Sequence, residues 1–236
     1  VLPVSYYLDL GYSSGGFYLD KSYLNFPAGP FLGSIQIGQF QTPMGLDLIT
    51  SRRDIAFMEP ATPLQALAPG VEAGIQIGRP VFDQRATWAL GVFAPGAGSL
   101  AFGNASESFG SVVTRITWLP YYHPDPELPA ANRLLHLGLS ANILYSSSST
   151  LRYQSRPESY LAPYVLDTSD IDANRAATFG LEAAWVNGPL SVQGEFLHSS
   201  IGATNGFGDL AFYGGYVCAS WYLTGESRAY NPTTGA

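Results

Sequence analysis

Four consecutive residues, Ser51-Arg52-Arg53-Asp54, set two cations and an anion inside an apolar frame that includes Met44, Leu46, Ile49, Ile55, Phe57 and Met58. Two chemistries fit such a cluster. Guanidinium groups held at a passage attract anions and sort permeant ions by sign. The same groups can instead pair with Asp47, Glu59 or each other and only pin the backbone, and the two roles are compatible. A second group, Asp167-Thr168-Ser169-Asp170-Ile171-Asp172, gathers the oxygen ligands that Ca²⁺ takes. Its spacing is not that of an EF-hand loop, so a solvated loop is the plainer reading. His123, His136 and His198 are scattered without ligand spacing and read as lumen or rim residues, and Cys218 is alone, so there is no disulfide framework. There is no nucleophile elbow, phosphate-binding glycine loop or zinc motif. The sequence thus offers no catalytic residue, no metal and no cofactor, and it does not read as an enzyme.

The elements that must position the charge cluster are strands. The phrase Ile-Gln-Ile-Gly occurs twice, at Ile35–Gly38 and Ile75–Gly78, and each copy alternates apolar with small or polar residues, the period-2 sign of a two-faced strand. The residues between them, about 41–70, are too many for a hairpin turn and too apolar for a slack linker. Loops of this kind in a compact domain are usually functional. The expectation is an inward-folded loop that narrows a lumen.

The rest of the chain repeats the pattern. Strands are expected over 5–12, 17–26, 31–40, 71–81, 86–94, 111–119, 133–145, 177–186, 190–198 and 210–224. Over Arg133–Tyr145, Leu135, Leu137, Leu139, Ala141, Ile143 and Tyr145 share one face, and His136, Gly138, Ser140 and Asn142 the other. A one-residue slip would exchange those faces, so the register is well specified. Phe179, Leu181, Ala183 and Trp185 likewise oppose Thr178, Gly180 and Glu182, and Ser191, Gln193 and Glu195 face inward with them. Arg115 belongs in the lumen, because an Arg facing lipid at mid-bilayer costs about 2–4 kcal/mol. Lys21 is placed inside with Tyr23 and Asn25, and its neighbour Asp20 on the opposite face. Short turns are expected at 13–16, 27–30, 82–85 and 187–189, and long loops at 41–70, 95–110, 146–176 and 199–209. The proline-rich connection over 120–132 breaks that alternation. Bulky aromatics such as Tyr6, Tyr7, Phe17, Tyr18, Trp118, Tyr145 and Trp221 gather near strand ends, as in interfacial girdles.

Composition agrees. The 236 residues carry 12% charged side chains, about half the fraction usual for a soluble domain, with one lysine, Lys21. No apolar run is long enough for a transmembrane helix. A net charge of −7 argues against nucleic acid as a partner. No leader segment precedes Val1, so an export signal is expected to have been removed or to lie outside the sequence.

Four ordered segments carry a family resemblance. They are Gly38-Gln39-Phe40 with Pro43, Leu48–Glu59 and Leu67–Gly70; then Tyr153–Ser159; then Gly180–Trp185; then Tyr222–Arg228. Together they resemble the phosphate-selective porin O/P family of outer-membrane barrels. The resemblance implies an all-β, transmembrane antiparallel β-barrel, with about ten strands here out of a larger barrel of about 16. It implies a homotrimer in the bacterial outer membrane, passing small hydrophilic solutes or ions such as phosphate by diffusion. It implies that the pore-facing cluster at 51–54 lies on a constriction loop. The expected constriction and selectivity residues are Arg52, Arg53, Asp54, Arg115 and Lys21, within one barrel domain over residues 1–236. A barrel cannot leave an edge open in lipid, so the sequence reads as part of a longer chain.

The family's phosphate-selective members are rich in lumen lysine and arginine. Here Asp and Glu outnumber Lys and Arg by 18 to 11, so a general, weakly selective pore is expected. The alternative is a soluble β-sandwich carbohydrate-binding module with aromatic platforms. It predicts a charged outer face in place of the apolar one at 133–145 and 177–186. A barrel enzyme, such as a lipase, would need a Ser/His pair that the sequence does not signal.

Overall fold

The structure is a computed structural model and describes residues 4–13, 16–94, 110–124, 132–145, 150–159, 161–204 and 208–236. The expected loop over 95–110 lies outside the described residues except for its last residue. So do the centres of the turn at 13–16 and of the connection at 120–132, Ser146–Ser149, and the centre of the loop at 199–209.

Ten strands follow one another in a single antiparallel sheet: β1 (Ser5–Ser13), β2 (Gly16–Pro27), β3 (Ser34–Gln41), β4 (Val71–Val81), β5 (Ala86–Ala94), β6 (Ser111–His123), β7 (Arg133–Tyr145), β11 (Ile171–Asn187), β12 (Leu190–Ala203) and β13 (Leu210–Trp221). Between β7 and β11 the chain makes three two-residue strands, β8 (Thr150–Leu151), β9 (Gln154–Ser155) and β10 (Leu166–Asp167). β8 pairs with β11, while β9 and β10 pair with each other. Among the described residues β1 and β13 each have one sheet neighbour.

Period-2 alternation explains which side of the sheet faces what. Along β7 every second residue from Leu134 to Asn142 is buried, and the residues between are exposed or half-buried. Leu139 is 58% exposed although it is a large apolar side chain at the middle of the sheet, while Ser140 beside it is buried. The same inversion holds for Ile116 against Arg115, Leu181 against Glu182, and Phe196 against Glu195. Apolar side chains point away from the protein and charged ones into it, as a strand between lipid and a polar interior requires.

The two Ile-Gln-Ile-Gly copies are one ladder. Gln36 pairs with Gln76, Ile37 with Ile75 and Gly38 with Gly74, so the repeat sets like opposite like across β3 and β4. Gly38 has φ of 136°, and a Cβ there would lie 2.2 Å from the Ser22 carbonyl oxygen.

Several expected boundaries are corrected. Residues Gly29–Leu32 form a single helical turn, α1, so β3 begins at Ser34 and not at Phe31. Pro30 suits the first helical turn, where a missing N–H leaves no bond unmade. β6 runs on through Pro120 to His123, its register shifting between Trp118 and Tyr121, the kind of irregularity that accommodates proline in a strand. β11 begins at Ile171, six residues before the expected start, and β12 extends five residues beyond the expected His198, to Ala203. His198 sits on the outer face of β12, between Phe179 and Tyr213 in the ladder. Asp20 is the extra residue where the register between β1 and β2 shifts, since Asp9 pairs with Lys21 and Leu10 with Leu19. The bulge turns both Asp20 and Lys21 toward the interior, correcting the expectation of opposite faces. Gln39 donates to the carbonyls of Leu19 and Asp20, at 3.1 and 2.9 Å, and so fills the gap left in the ladder.

The face assignment is testable. Leu139→Arg should lower the unfolding free energy in a bilayer by about 2–4 kcal/mol, while Ser140→Thr, on the polar face, should change it by far less. Denaturant titration in lipid vesicles reads both.

Candidate functional site

The segment between β3 and β4 does not leave the sheet. Thr42 ties its outgoing end to its return by donating to the Pro69 carbonyl at 2.8 Å, and the Thr42 amide donates to Gly70. Between these ties lie two short helices, α2 (Leu46–Ile49) and α3 (Thr62–Leu67). Pro63 stands in the first turn of α3, and its inner side buries Leu64, Ala66 and Leu67. Met44 and Leu64 are fully buried, in a cluster with Phe40, Phe93, Val113 and Leu197. Each contributes about 1.5–3 kcal/mol by leaving water. This cluster joins β3, β5, β6 and β12 through the segment, so the sheet is curled around it.

The segment is therefore a strap across the interior, and it leans to one side. Its buried flank meets β11, β12 and β13, with Met44 near Gly180 on β11 and Pro63 near Gly214 on β13. The Glu195 carboxylate on β12 accepts the amides of Leu46 and Asp47, at 2.7 and 2.8 Å. At its far reach Arg52 approaches Asp20 on β2, at 3.6 Å. Asp54 closes the turn by donating its amide to Ser51, at 2.8 Å. Burial lifts the Glu59 carboxyl above its usual range, with the Arg52 charge pulling the other way.

On the open flank is a cavity of about 910 Å³ between the strap and the wall formed by β1 to β6. Its lining includes five basic side chains, Lys21, Arg52, Arg53, Arg79 and Arg115, against three acidic ones, Asp9, Asp20 and Asp47. Four of the five residues expected at a constriction thus meet in one place, and Asp54 is not among the lining residues. Arg79 was not expected there; its place at the end of β4 gave no signal.

Two of these charges are not available to a solute. Arg115 is 3% exposed and meets one oxygen of Glu182, Nη2 at 2.6 Å and Nε at 2.9 Å, while His136 Nε2 lies 3.0 Å from the same oxygen. Its remaining donors reach the carbonyls of Thr234 and Gly235, at 3.1 and 2.7 Å, so the segment after β13 folds back against the inner face. Asp47, on α2 of the strap itself, is buried. Glu182 and Glu195, which the sequence places on the inner face, are both engaged in internal bonds. That leaves Lys21, Arg52, Arg53 and Arg79 facing Asp9 and Asp20.

Above the strap, the arm built from β9 and β10 packs on α3. Thr62 donates to the Arg156 carbonyl, and Arg156 donates its amide to Gln65. Tyr153 shares a hydrogen bond with Ser199, at 2.8 Å, and meets the Phe212 ring edge-on. Asp167, a candidate Ca²⁺ ligand in the sequence, is held by Arg152 at 2.6 and 2.8 Å, which keeps its carboxyl well below the usual carboxylate range.

This arrangement, an apolar outer face, a polar inner face and a strap inside, frames the comparison with known proteins. The family model described as "Phosphate-selective porin O and P" matches residues 6–236. The chain belongs to this family. Porin O of Pseudomonas aeruginosa is 26% identical over 253 residues, which cover 94% of this chain and 54% of that protein. An uncharacterized protein of Caulobacter vibrioides is 25% identical over 240 residues, covering 96% of this chain and 45% of its own length. The chain spans about half the length of these curated relatives. No solved structure matches it. The segments that carried the resemblance fall on the strap, the arm, the Glu182 level of β11 and the stretch after β13 of this porin-family chain.

Two outcomes are expected. Arg115→Leu should cost about 3–5 kcal/mol, because it strands the Glu182 carboxylate in a buried site, and Arg115→Leu with Glu182→Leu should recover most of the loss. Denaturation of the two variants against the parent measures both. Because the Asp167 carboxyl is depressed when folded, its contribution is present above the ordinary carboxylate range, about 4, and is lost as pH falls through and below it. Amide protection over 150–170, taken relative to the intrinsic exchange rate at each pH, should therefore fall below that range while protection in β7 and β11 does not.

Proposed function

We propose that this chain forms part of a water-filled pore in the bacterial outer membrane that passes small hydrophilic solutes by diffusion, with a weak preference for anions, phosphate among them. The strap over 41–70 is its constriction, and the working assembly is a homotrimer of closed barrels, each of about 16 strands. The observation that carries the reading is the cavity between strap and wall, where four unburied basic side chains face two acidic ones although the chain as a whole has a net charge of −7. A local excess of one sign over a path sets the sign that permeates. The excess is small, which supports weak and general selectivity over a dedicated phosphate site.

Several features support the membrane setting. Among the described residues, large apolar side chains on the outer face stand exposed, and the ten strands form one continuous meander with polar residues on the inner side. Unpaired backbone in lipid costs several kcal/mol per group, so in the bilayer β1 and β13 take strand partners and the sheet closes. A two-layer sugar-binding sandwich would bury the face that is apolar here. Family membership favours a channel over an enzyme.

The test is the reversal potential of the full-length protein in a planar bilayer across a KCl gradient. The expected result is stepwise conductance with chloride preferred by a few-fold. Replacing Arg52 and Arg53 by Ala should bring the ratio to unity or below while conductance persists. Cation preference in the parent protein would remove the anion reading.

A further inference from the structure

A set of buried polar contacts joins the strap to the sheet, and the passage of ions does not itself use them. Glu195 on β12 is 5% exposed and Asp47 on α2 is 7% exposed. One Glu195 oxygen accepts the Leu46 amide at 2.7 Å; the other accepts the Asp47 amide at 2.8 Å and the Tyr216 hydroxyl at 2.8 Å. Asp47 in turn accepts the Ala61 amide at 3.0 Å with one oxygen and the Gln193 side-chain amide at 3.1 Å with the other. Gln193 also donates to the Tyr216 hydroxyl at 2.7 Å, which closes the circuit. The outgoing limb of the strap is gripped at Leu46 and Asp47, and the return limb at Ala61. The residues between them, which include Arg52 and Arg53, form a loop closed at its base.

Leu46, Asp47 and Ala61 are buried, so without the two carboxylates their amides would have no water to turn to. Among the described residues no comparable set of buried bonds holds the far side, where Arg52 is largely exposed and its contact with Asp20 is 3.6 Å. The strap is thus clamped firmly to one wall and rests lightly on the other.

We propose that Glu195 and Asp47 form a latch that holds the strap against the β12–β13 wall and so sets how wide the passage along the β1–β6 wall stays. This rests on the pore reading above. They are positioning residues: neither meets the permeant ion, and they act through the placement of Arg52 and Arg53. With the latch broken, the strap swings into the passage and out again, and the current closes and reopens while its ionic preference remains. Changing the tip does the opposite: it alters preference and leaves the current steady.

The test uses Glu195→Gln in the full-length protein. The side-chain length is kept, but one oxygen becomes an NH₂ group facing a donor. In single-channel records at fixed voltage, brief closures should become at least tenfold more frequent, with the anion-to-cation ratio unchanged. In lipid nanodiscs the amides of Leu46, Asp47 and Ala61 should exchange at least tenfold faster, with the strand amides of β12 unchanged. Arg52→Ala should change the ratio without adding closures. Should Glu195→Gln fail to assemble, Asp47→Ala removes the other carboxylate without touching β12; closures should rise alike, and exchange should speed up at least tenfold at the Ala61 amide, whose acceptor it removes. Steady current with unchanged exchange at the three amides would overturn the latch, as would failure of both variants to assemble, since these bonds are assigned to the strap alone. A parent protein that makes no channels would overturn the pore reading instead, and amide exchange would still decide the latch.

Discussion

An ionised side chain on the outer face of this sheet would stand in hydrocarbon, and one on the inner face stands in reach of partners. That single constraint orders the structure. Successive residues of a strand point to opposite sides, so each strand must place its apolar and polar residues in strict turn. Arg115, Glu182 and Glu195 fall on the inner side of three different strands, and Ile116, Leu181 and Phe196 beside them fall on the outer side. The polar side chains then satisfy one another or the backbone of whatever lies inside.

What lies inside is the strap, and it divides the space along the inner face of the sheet into two unlike sides. One side is packed and polar-bonded, from the cluster around Met44 and Leu64 to the carboxylates of Glu195 and Asp47. The other is open, and Lys21, Arg52, Arg53, Arg79, Asp9 and Asp20 line it unburied. Counting charge along the chain is misleading for this reason. The acidic surplus of the sequence includes Glu182, which is matched to Arg115 and His136, and Glu195, which is spent on the strap. The unburied charges that line the open flank are Lys21, Arg52, Arg53 and Arg79 against Asp9 and Asp20, and on the proposed reading they set the sign that a passing ion meets.

Much of this was legible in the residue order. The faces of β7 and β11 follow from alternation alone, because one face is apolar throughout and a slipped register would bury nothing useful. The ends of β4, β5 and β7 were readable from their turn residues. Strand ends with other causes were not. Phe31 and Leu32 suit a strand but lie in a helical turn opened by Gly29 and Pro30, and Pro120 looks like a stop yet sits inside β6 at a register shift. Asp20 and Lys21 were expected on opposite faces, and a bulge, which adds one residue to one strand, undoes that arithmetic. The positions of Glu182 and Glu195 were predicted, but their roles were not. A partner 149 residues away, as Leu46 is from Glu195, leaves no local trace.

The central claim is that the strap lies within the curled sheet, fixed on the β12 side and reaching β2. The most direct measurement is a spin-label distance between positions 53 and 21 in the full-length protein in lipid nanodiscs, with Cys218 and every other native cysteine replaced by Ser so that only those two sites are labelled. A short, narrow distribution is expected, because Arg52 meets Asp20 across the passage. A long and broad distribution would mean that the strap extends away from the sheet, and the account of the passage would fail with it.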